Sequence, residues 1–519
     1  MGSGTLFDLR VGNLTEPVSG RRWDDQEVLR EVAARIQAYR EAGMEAGDRV
    51  FVHYGNRLEF FADLLAIWHL GAAVVPIDSR LTPFEIETLA QTAAPRFSIV
   101  DDKIDPSTLH SISSADVRVI NTLEIETHAR NTADGTLPAS RIRMDDDALI
   151  LFTSGSTGEP KGVVHTHRSL RARWRALRER LGLGPYRRTL CLLPTHFGHG
   201  LICNCLFPWL AGQELFIAPP FRPDLVMQLG SLIDEHEITC MSSVPSMWRL
   251  ALKVSRPPNR QTLERVHCGS APLTAHLWKE IQAWCSTRQV LNSYGITETG
   301  SWVAGTTLAD FTPEDGLIGE AWGAVVKISK ACHTDTPPVP DLECQPGESG
   351  YIWLHTPALM QGYLNRDDLT RQAVRQGWFV TGDIGLLDER GRLYLRGRVR
   401  EEINKSGMKI YPADIDSVVE RFAQTADVAT FGFDDPIYGQ EIGLAVALKN
   451  HDNATIRELY HWMKRHLGEH QMPRRWYLMD SIPRTSRGKV DRSAVMEKCA
   501  LIPPLDLQKI LHISEKEQP

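Results

Sequence analysis

Apolar residues recur at helical spacing between Arg57 and Leu70, where Phe60, Phe61, Leu64, Leu65 and Trp68 share one face, and Gly71 stops the run. The unbroken apolar stretch Ala72 to Ile77 that follows predicts a buried strand, giving one helix-to-strand step. The alternation returns with strands predicted over Arg188 to Leu193 and Glu214 to Ile217, and with a helix over Leu225 to Ile233 before a strand over Ile238 to Ser242. Repetition of this kind predicts an α/β domain on mainly parallel sheets, with its active site at strand ends.

The pattern changes twice further along. Between Lys330 and Gly350, Pro337, Pro338, Pro340, Pro346 and Gly347 predict a surface connection. Residues 397 to 402 read Gly-Arg-Val-Arg-Glu-Glu, a charged stretch after which a compact α+β unit begins. In that unit Thr455 to Glu458 reads as a capping box, and Ile456, Leu459, Tyr460, Met463 and Leu467 form an apolar stripe. Gly468 closes that helix, and Ile442 to Leu448 supplies a partner strand. The expected division is a large N-terminal domain over 1–396, a hinge over 397–402 and a small, mobile C-terminal lid over 403–519.

Length and composition agree with this division. A chain of 519 residues exceeds one compact unit, and 42% hydrophobic with 24% charged residues is ordinary for globular proteins. The formal charge of −7 and the lack of a polybasic tract exclude nucleic acid as an expected partner. The most apolar stretch, Cys191 to Phe221, is interrupted by His196, His199, Asn204, Pro208, Gln213 and Glu214, so no membrane span is expected. Nine cysteines without a CxxC pair, and no secretory leader, predict reduced thiols in a cytoplasm.

The densest chemistry lies in Leu151 to Val164. An apolar strand runs there into Thr153, Ser154, Gly155, Ser156, Thr157 and Gly158, followed by Lys161. Glycines let backbone N–H groups converge on an anion, hydroxyls add donors and the lysine adds charge, which suits phosphate. Pro160 stands directly before the lysine, where a Walker loop requires glycine.

This loop resembles the signature of the acyl-adenylate-forming superfamily of acyl-CoA synthetases, aryl-acid ligases, nonribosomal adenylation domains and luciferases. Further blocks follow in that family's order over nearly the whole chain: Tyr294 to Glu298, Trp378 to Asp383, Gly397-Arg398, Ser406 to Pro412 and Pro483 to Lys489. The resemblance implies an ATP-dependent ligase. A carboxylate attacks the α-phosphate of ATP, pyrophosphate leaves, and the acyl-adenylate then passes its acyl group to a phosphopantetheine thiol, on CoA or on a separate carrier protein.

The resemblance also implies roles. Glu298 would coordinate Mg2+; Thr153, Ser154, Thr157 and Thr297 would hold phosphates. Tyr294 and Gly295, with the turn Gly269-Ser270-Ala271-Pro272, would line the adenine, while Asp383 would accept from the ribose hydroxyls and Arg398 donate to ribose or phosphate. Arg400 takes the hinge position. Lys489 would reach the carboxylate and the α-phosphate when the lid closes, and Ser406, Gly407 and Met408 would form the wall of a thiol tunnel. Asn404 departs from the lysine of many family members, with Lys405 following it.

Cys191 to Cys205 resembles the segment that places a histidine beside the acid, through His196 or His199. The run Leu192 to Gln213 lacks the acidic residue that pairs with a substrate ammonium, which disfavours an α-amino acid. Phe197, Gly200, Ser243, Asn292, Gly295, Gly300 and Trp302 complete the expected acid pocket. His196, His199, Cys203 and Cys205 fit no common closed zinc spacing, and His165 with His167 read as structural. Two other outcomes stand beside the ligase: transfer of the adenylate to an amine, and a silent nucleotide-binding scaffold.

Overall fold

The computed structural model describes residues 10–113, 117–122, 125, 137–140, 142–154, 160–220, 222–307, 311–331, 342–399, 401–405, 408–436, 439–485 and 488–512. Strands of the N-terminal region form two large sheets, one of 14 strands and one of 7. The helix Leu58–His69 is buried over all its residues: it is mainly apolar, and its two carboxylates are paired, Asp63 with Arg35 and Tyr39 and Glu59 with Arg21. Trp68 donates from its indole to Ala148 O (2.6 Å) on one side, and Phe61 meets the Trp209 ring edge-on at 5.3 Å on the other.

The two sheets are mixed, each with a parallel part and an antiparallel part. The larger one runs parallel from Leu14–Thr15 through Glu214–Ile217, Arg188–Cys191, Cys240–Ser243 and Arg265–Gly269 to Val290–Ile296. Beyond Val290–Ile296 every pairing towards Val325–Ser329 is antiparallel. The smaller sheet is parallel from Arg118–Asn121 to Asp147–Ser154 and then antiparallel through Pro160–Thr166 to Gly362–Tyr363. The switch has one cause in both sheets: a short loop after the last parallel strand leaves only hairpin pairing for the next. Those two loops carry the glycine-rich motif and Glu298.

The expected helix-to-strand steps appear as Leu58–His69 with Ala73–Pro76, and as strands Arg188–Cys191, Glu214–Ile217 and Cys240–Ser243. The helix expected over Leu225 to Ile233 is two short helices, Pro223–Met227 and Leu229–Glu235, broken at Gln228. Residues His199–Leu206 form a buried π-helical run, whose wider turn lies within the apolar stretch. Among the described residues no helix is long and apolar enough to cross a membrane, and the described cysteines carry free thiols.

After Ile403 the chain builds a five-stranded sheet centred on Gly439–Leu448, with helices Pro412–Glu420 and Asn453–His466 against it. Its apolar clusters draw only on residues from Ile403 to Ile510. The capping of Asn453–His466 differs from expectation: Asp452 accepts from Thr455 N (2.7 Å), Thr455 is buried in the first turn, and the helix ends at Leu467 rather than Gly468. Aspartate one residue before the helix wins because its short carboxylate reaches the third amide.

Candidate active site

Strand Asp147–Ser154 sets Thr153 opposite Lys161 on Pro160–Thr166, so both stand at the mouth of the glycine-rich loop. Gly155, Ser156, Thr157 and Gly158 lie outside the described residues. The second hairpin turns through Thr297–Thr299, with Gly300 and Ser301 both left-handed at φ 69° and 71°, and this tight turn carries Thr297 and Glu298. Two buried side chains hold it. His165 donates from Nε2 to Thr297 O at 2.7 Å, and Arg173 donates to Thr299 O from Nε at 3.2 Å and Nη2 at 2.9 Å. Arg173 also reaches Trp322 O at 2.6 Å and Thr356 Oγ1 at 3.4 Å. Burial lowers the pKa of His165 to about 4 and that of Arg173 to about 10.

Glu298 is also fixed from the side. The Tyr363 hydroxyl donates to its Oε1 at 2.7 Å, and Lys161 Nζ stands 5.5 Å from the centroid of the same ring. Tyr363 pairs with Val163 in the sheet, which places one aromatic ring between the loop lysine and the carboxylate.

These groups face a cavity of about 1060 Å³ whose wall includes Thr153, Lys161, Thr297, Glu298, Arg398 and Lys489. Lys489 follows the C-terminal sheet in the chain, so both regions contribute to one cavity. Asp383, buried, accepts from the Tyr294 hydroxyl at 2.6 Å and pairs with Arg398 Nε at 2.8 Å. Burial, reinforced by Asp383, pushes the Tyr294 hydroxyl well above its ordinary pKa. Tyr294 and Asp383 thus stand just behind the wall, with Arg398 as their link to it, and Gly269, Ala271 and Pro272 are likewise outside the described wall. Arg400, Ser406 and Gly407 lie outside the described residues; Met408, in the strand Met408–Ile410, is 44% exposed and off the cavity.

The wall also holds His196, Phe197, His199, Ser270, Gly295 and Ser301. His199 Nδ1 lies 2.8 Å from Ser270 Oγ, and burial, helped by the positive charge of Lys489, lowers its pKa to about 3, so its ring is neutral. His196 Nε2 stands 3.4 Å from Asp78 Oδ2. The other expected pocket members, Gly200, Ser243, Asn292, Gly300 and Trp302, are buried behind the wall. Ser243 donates to His267 O at 2.7 Å and Asn292 Nδ2 to Leu317 O at 2.7 Å, so both polar groups are spent within the protein.

Among the described residues no three His, Cys, Asp or Glu side chains are grouped to hold a metal. Sequence reasoning missed Tyr363, Arg173 and Asp78. Their roles depend on partners far away in the chain, and no local spacing marks them.

The AMP-binding enzyme family matches residues 16–364, and the C-terminal domain of AMP-binding enzymes matches residues 414–489. Similar relatives include a 2-succinylbenzoate–CoA ligase from a Geobacillus species, 28% identical with 90% of each chain covered. A long-chain fatty acid–CoA ligase from Mycobacterium tuberculosis is 28% identical over 89% of this chain and 90% of its own. In fold the chain resembles an anthranilate–CoA ligase solved with anthranoyl-AMP, with TM-score 0.85, 21% identity and 95% of each chain covered. Fold and cavity define a nucleotide-dependent ligase architecture of a large mixed-sheet domain with a small C-terminal domain. The chain belongs to the AMP-binding enzymes.

Proposed function

We propose that this enzyme is an AMP-forming acid–thiol ligase that makes an acyl-adenylate from a carboxylic acid and ATP, then transfers the acyl group to the thiol of CoA. The observation that carries the reading is the meeting of Lys489 with Thr153, Lys161, Thr297 and Glu298 on one cavity wall. The domains span 1–396 and 403–519, with the hinge at 397–402 around Arg400. The CoA ligases among its relatives favour CoA over a carrier protein as acceptor. Those relatives act on a ring acid and on long-chain acids, so membership leaves the acid open.

In the first step a carboxylate oxygen attacks the α-phosphorus of ATP, a new P–O bond forms, and the bond to the bridging oxygen breaks to release pyrophosphate. Two anions must approach. Lys489 offsets charge on the carboxylate and α-phosphate, while Lys161 and the hydroxyls of Thr153, Ser154, Thr157 and Thr297 hold the phosphates. Arg398 and Asp383 hold the ribose, and Tyr294 stands beside the adenine. Glu298 suits Mg2+, because one carboxylate with substrate phosphates is this ion's usual donor set and no closed protein cage surrounds it among the described residues. Bound there, Mg2+ would neutralise phosphate charge.

In the second step a thiolate sulfur attacks the acyl carbonyl carbon, the C–O bond to AMP breaks, and AMP leaves; the thiol proton goes to solvent. The family resemblance assigns the passage of the pantetheine arm to Ser406, Gly407 and Met408, the last of which is exposed and away from the cavity in this arrangement of the two regions. Pyrophosphate release and CoA consumption across a panel of acids test this reading. Acid-dependent release followed by CoA-dependent AMP release is expected, whereas release of phosphate without AMP would refute it.

A further inference from the structure

A second cavity, of about 440 Å³, is lined by Asp368, Arg371, Gln372 and Arg375. Gln372 and Arg375 also stand in the wall of the larger cavity, so the two adjoin. Arg371 and Gln372 belong to the helix Asp367–Ala373, which is fastened to the site described above. Thr370 Oγ1 accepts from Tyr363 N at 2.8 Å, and the same tyrosine holds Glu298 through its hydroxyl and pairs with the strand that carries Lys161. The second cavity is therefore fixed relative to the groups that meet phosphates under the ligase reading.

The carboxylates around it are already committed. Asp368 accepts from Arg366 Nε at 3.1 Å and Nη2 at 3.2 Å, and this bonding holds its pKa below the ordinary carboxylate value. In the wall of the larger cavity Glu85 accepts from Thr82 N at 2.8 Å and Oγ1 at 2.7 Å, while Asp78 accepts from Arg80 through both oxygens, at 2.9 and 2.8 Å. Arg371, by contrast, is exposed and makes no hydrogen bond or ion pair among the described residues. Two arginines thus line a cavity whose one carboxylate a third arginine neutralises. A guanidinium offers a planar fork of donors that matches phosphate oxygens in pairs, and Gln372 adds an amide donor. We propose that this cavity is a second oligophosphate site, in which Arg371, Gln372 and Arg375 hold pyrophosphate while a nucleotide occupies the larger one. The inference rests on the ligase reading and adds to it a separate position for the product beside the place where it forms.

The test loads the full chain with Mg2+ and the α,β-methylene analogue of ATP, which blocks adenylation and keeps the larger cavity filled, and then measures binding of radiolabelled pyrophosphate by equilibrium dialysis. Pyrophosphate should bind the loaded protein, about fivefold more weakly in Arg371→Ala, the ceiling for one exposed ion pair, and more weakly still in Arg371→Glu. Binding should fade as salt rises from about 0.02 to about 0.3 M. Lys253→Ala removes the same charge from an exposed position off both cavities and should leave the affinity as it was. Orthophosphate should compete less well than pyrophosphate, and equal competition overturns the assignment to an oligophosphate. Failure of pyrophosphate to bind the loaded protein, or binding that neither Arg371 variant weakens, overturns the inference and leaves the ligase reading intact. An equal loss of affinity for the analogue itself in Arg371→Ala overturns it too, because the arginine then holds the nucleotide's own tail. If no acid releases pyrophosphate from ATP, the ligase reading falls and this inference with it.

Discussion

In the N-terminal region His53, His165, His167, His199 and His267 are buried, and burial holds each far below the ordinary histidine pKa, so these rings are neutral hydrogen-bonding and packing groups. In the C-terminal region His451, His461, His466 and His470 are exposed, and the inner charges come as pairs. Arg484 bonds Asp427 at 2.6 Å, Arg492 bonds Asp416 at 2.7 Å, and Lys405 lies 2.9 Å from Glu441. One region keeps its buried histidines neutral, as fixed hydrogen-bonding and packing groups. The other pairs most of its inner charges within its own elements and contributes Lys489 to the cavity.

The sharpest way to use this contrast is to remove Lys489. Under the ligase reading Lys489→Ala should slow pyrophosphate release about 100- to 1000-fold, the range for losing one preorganised charge at a transition state. The melting temperature should hardly move, because the lysine is half-buried at the cavity rather than packed in a core. Near-normal release would remove the chemical role assigned to the C-terminal region.

Arg173→Met probes the opposite side. The guanidinium is wholly buried and spans Thr299 O, Trp322 O and Thr356 Oγ1, so its loss leaves buried acceptors unpaired at a cost of about 3 kcal/mol. Because it holds the turn that carries Glu298, the Mg2+ concentration for half-maximal rate should also rise. Stability loss at an unchanged Mg2+ requirement would make Arg173 a packing residue alone.

Acid should separate the regions by sign. Unfolded histidines take up protons below about pH 6.5, whereas folded His53, His165 and His167 resist until about pH 4 and His199 until about 3. The unfolded state therefore binds more protons in this window, and N-terminal stability falls as pH drops from 6.5 towards 4. Each fully differential proton contributes about 1.4 kcal/mol per pH unit. Asp416 works the other way: burial, against the pull of Arg492, raises its pKa to about 6, so the stability it lends is present below the unfolded carboxylate range and lost as pH rises through 6. Hydrogen exchange at pH 7 and pH 5 should show protection falling first in strands such as Pro160–Thr166, while Thr425–Asp435 keeps its own. Equal loss in both would erase the contrast.

What the sequence disclosed, and what it withheld, follows the same physics. The glycine-rich loop, the Glu298 turn and Lys489 are legible because each packs its chemistry into a few consecutive residues whose spacing carries the meaning. Trp302 stacks on His267, a contact across the sheet that neither local segment encodes. The antiparallel half of each sheet was illegible for a related reason: periodicity predicts a strand, while the length of the preceding loop decides its direction. Tyr363 shows the limit most clearly, since its hydroxyl meets Glu298 from 65 positions away.

The smallest expected effect lies where the two regions touch. Arg249, on the helix Pro245–Val254, pairs with Glu420 at the end of Pro412–Glu420, with both side chains only partly exposed. Burial raises the Glu420 pKa, and the positive charge of Arg249 pulls against that rise. Arg249→Ala should weaken the arrangement that brings Lys489 to the cavity by about 1 kcal/mol, discounted for solvent screening, which is about fivefold in its population. Pyrophosphate release should fall by a similar factor while the Glu420→Gln variant, which no longer needs a cation there, shows a smaller additional loss when combined with it. If the two substitutions simply add, the pair does not couple the regions, and the meeting of Lys489 with Glu298 depends on the chain connection between them alone.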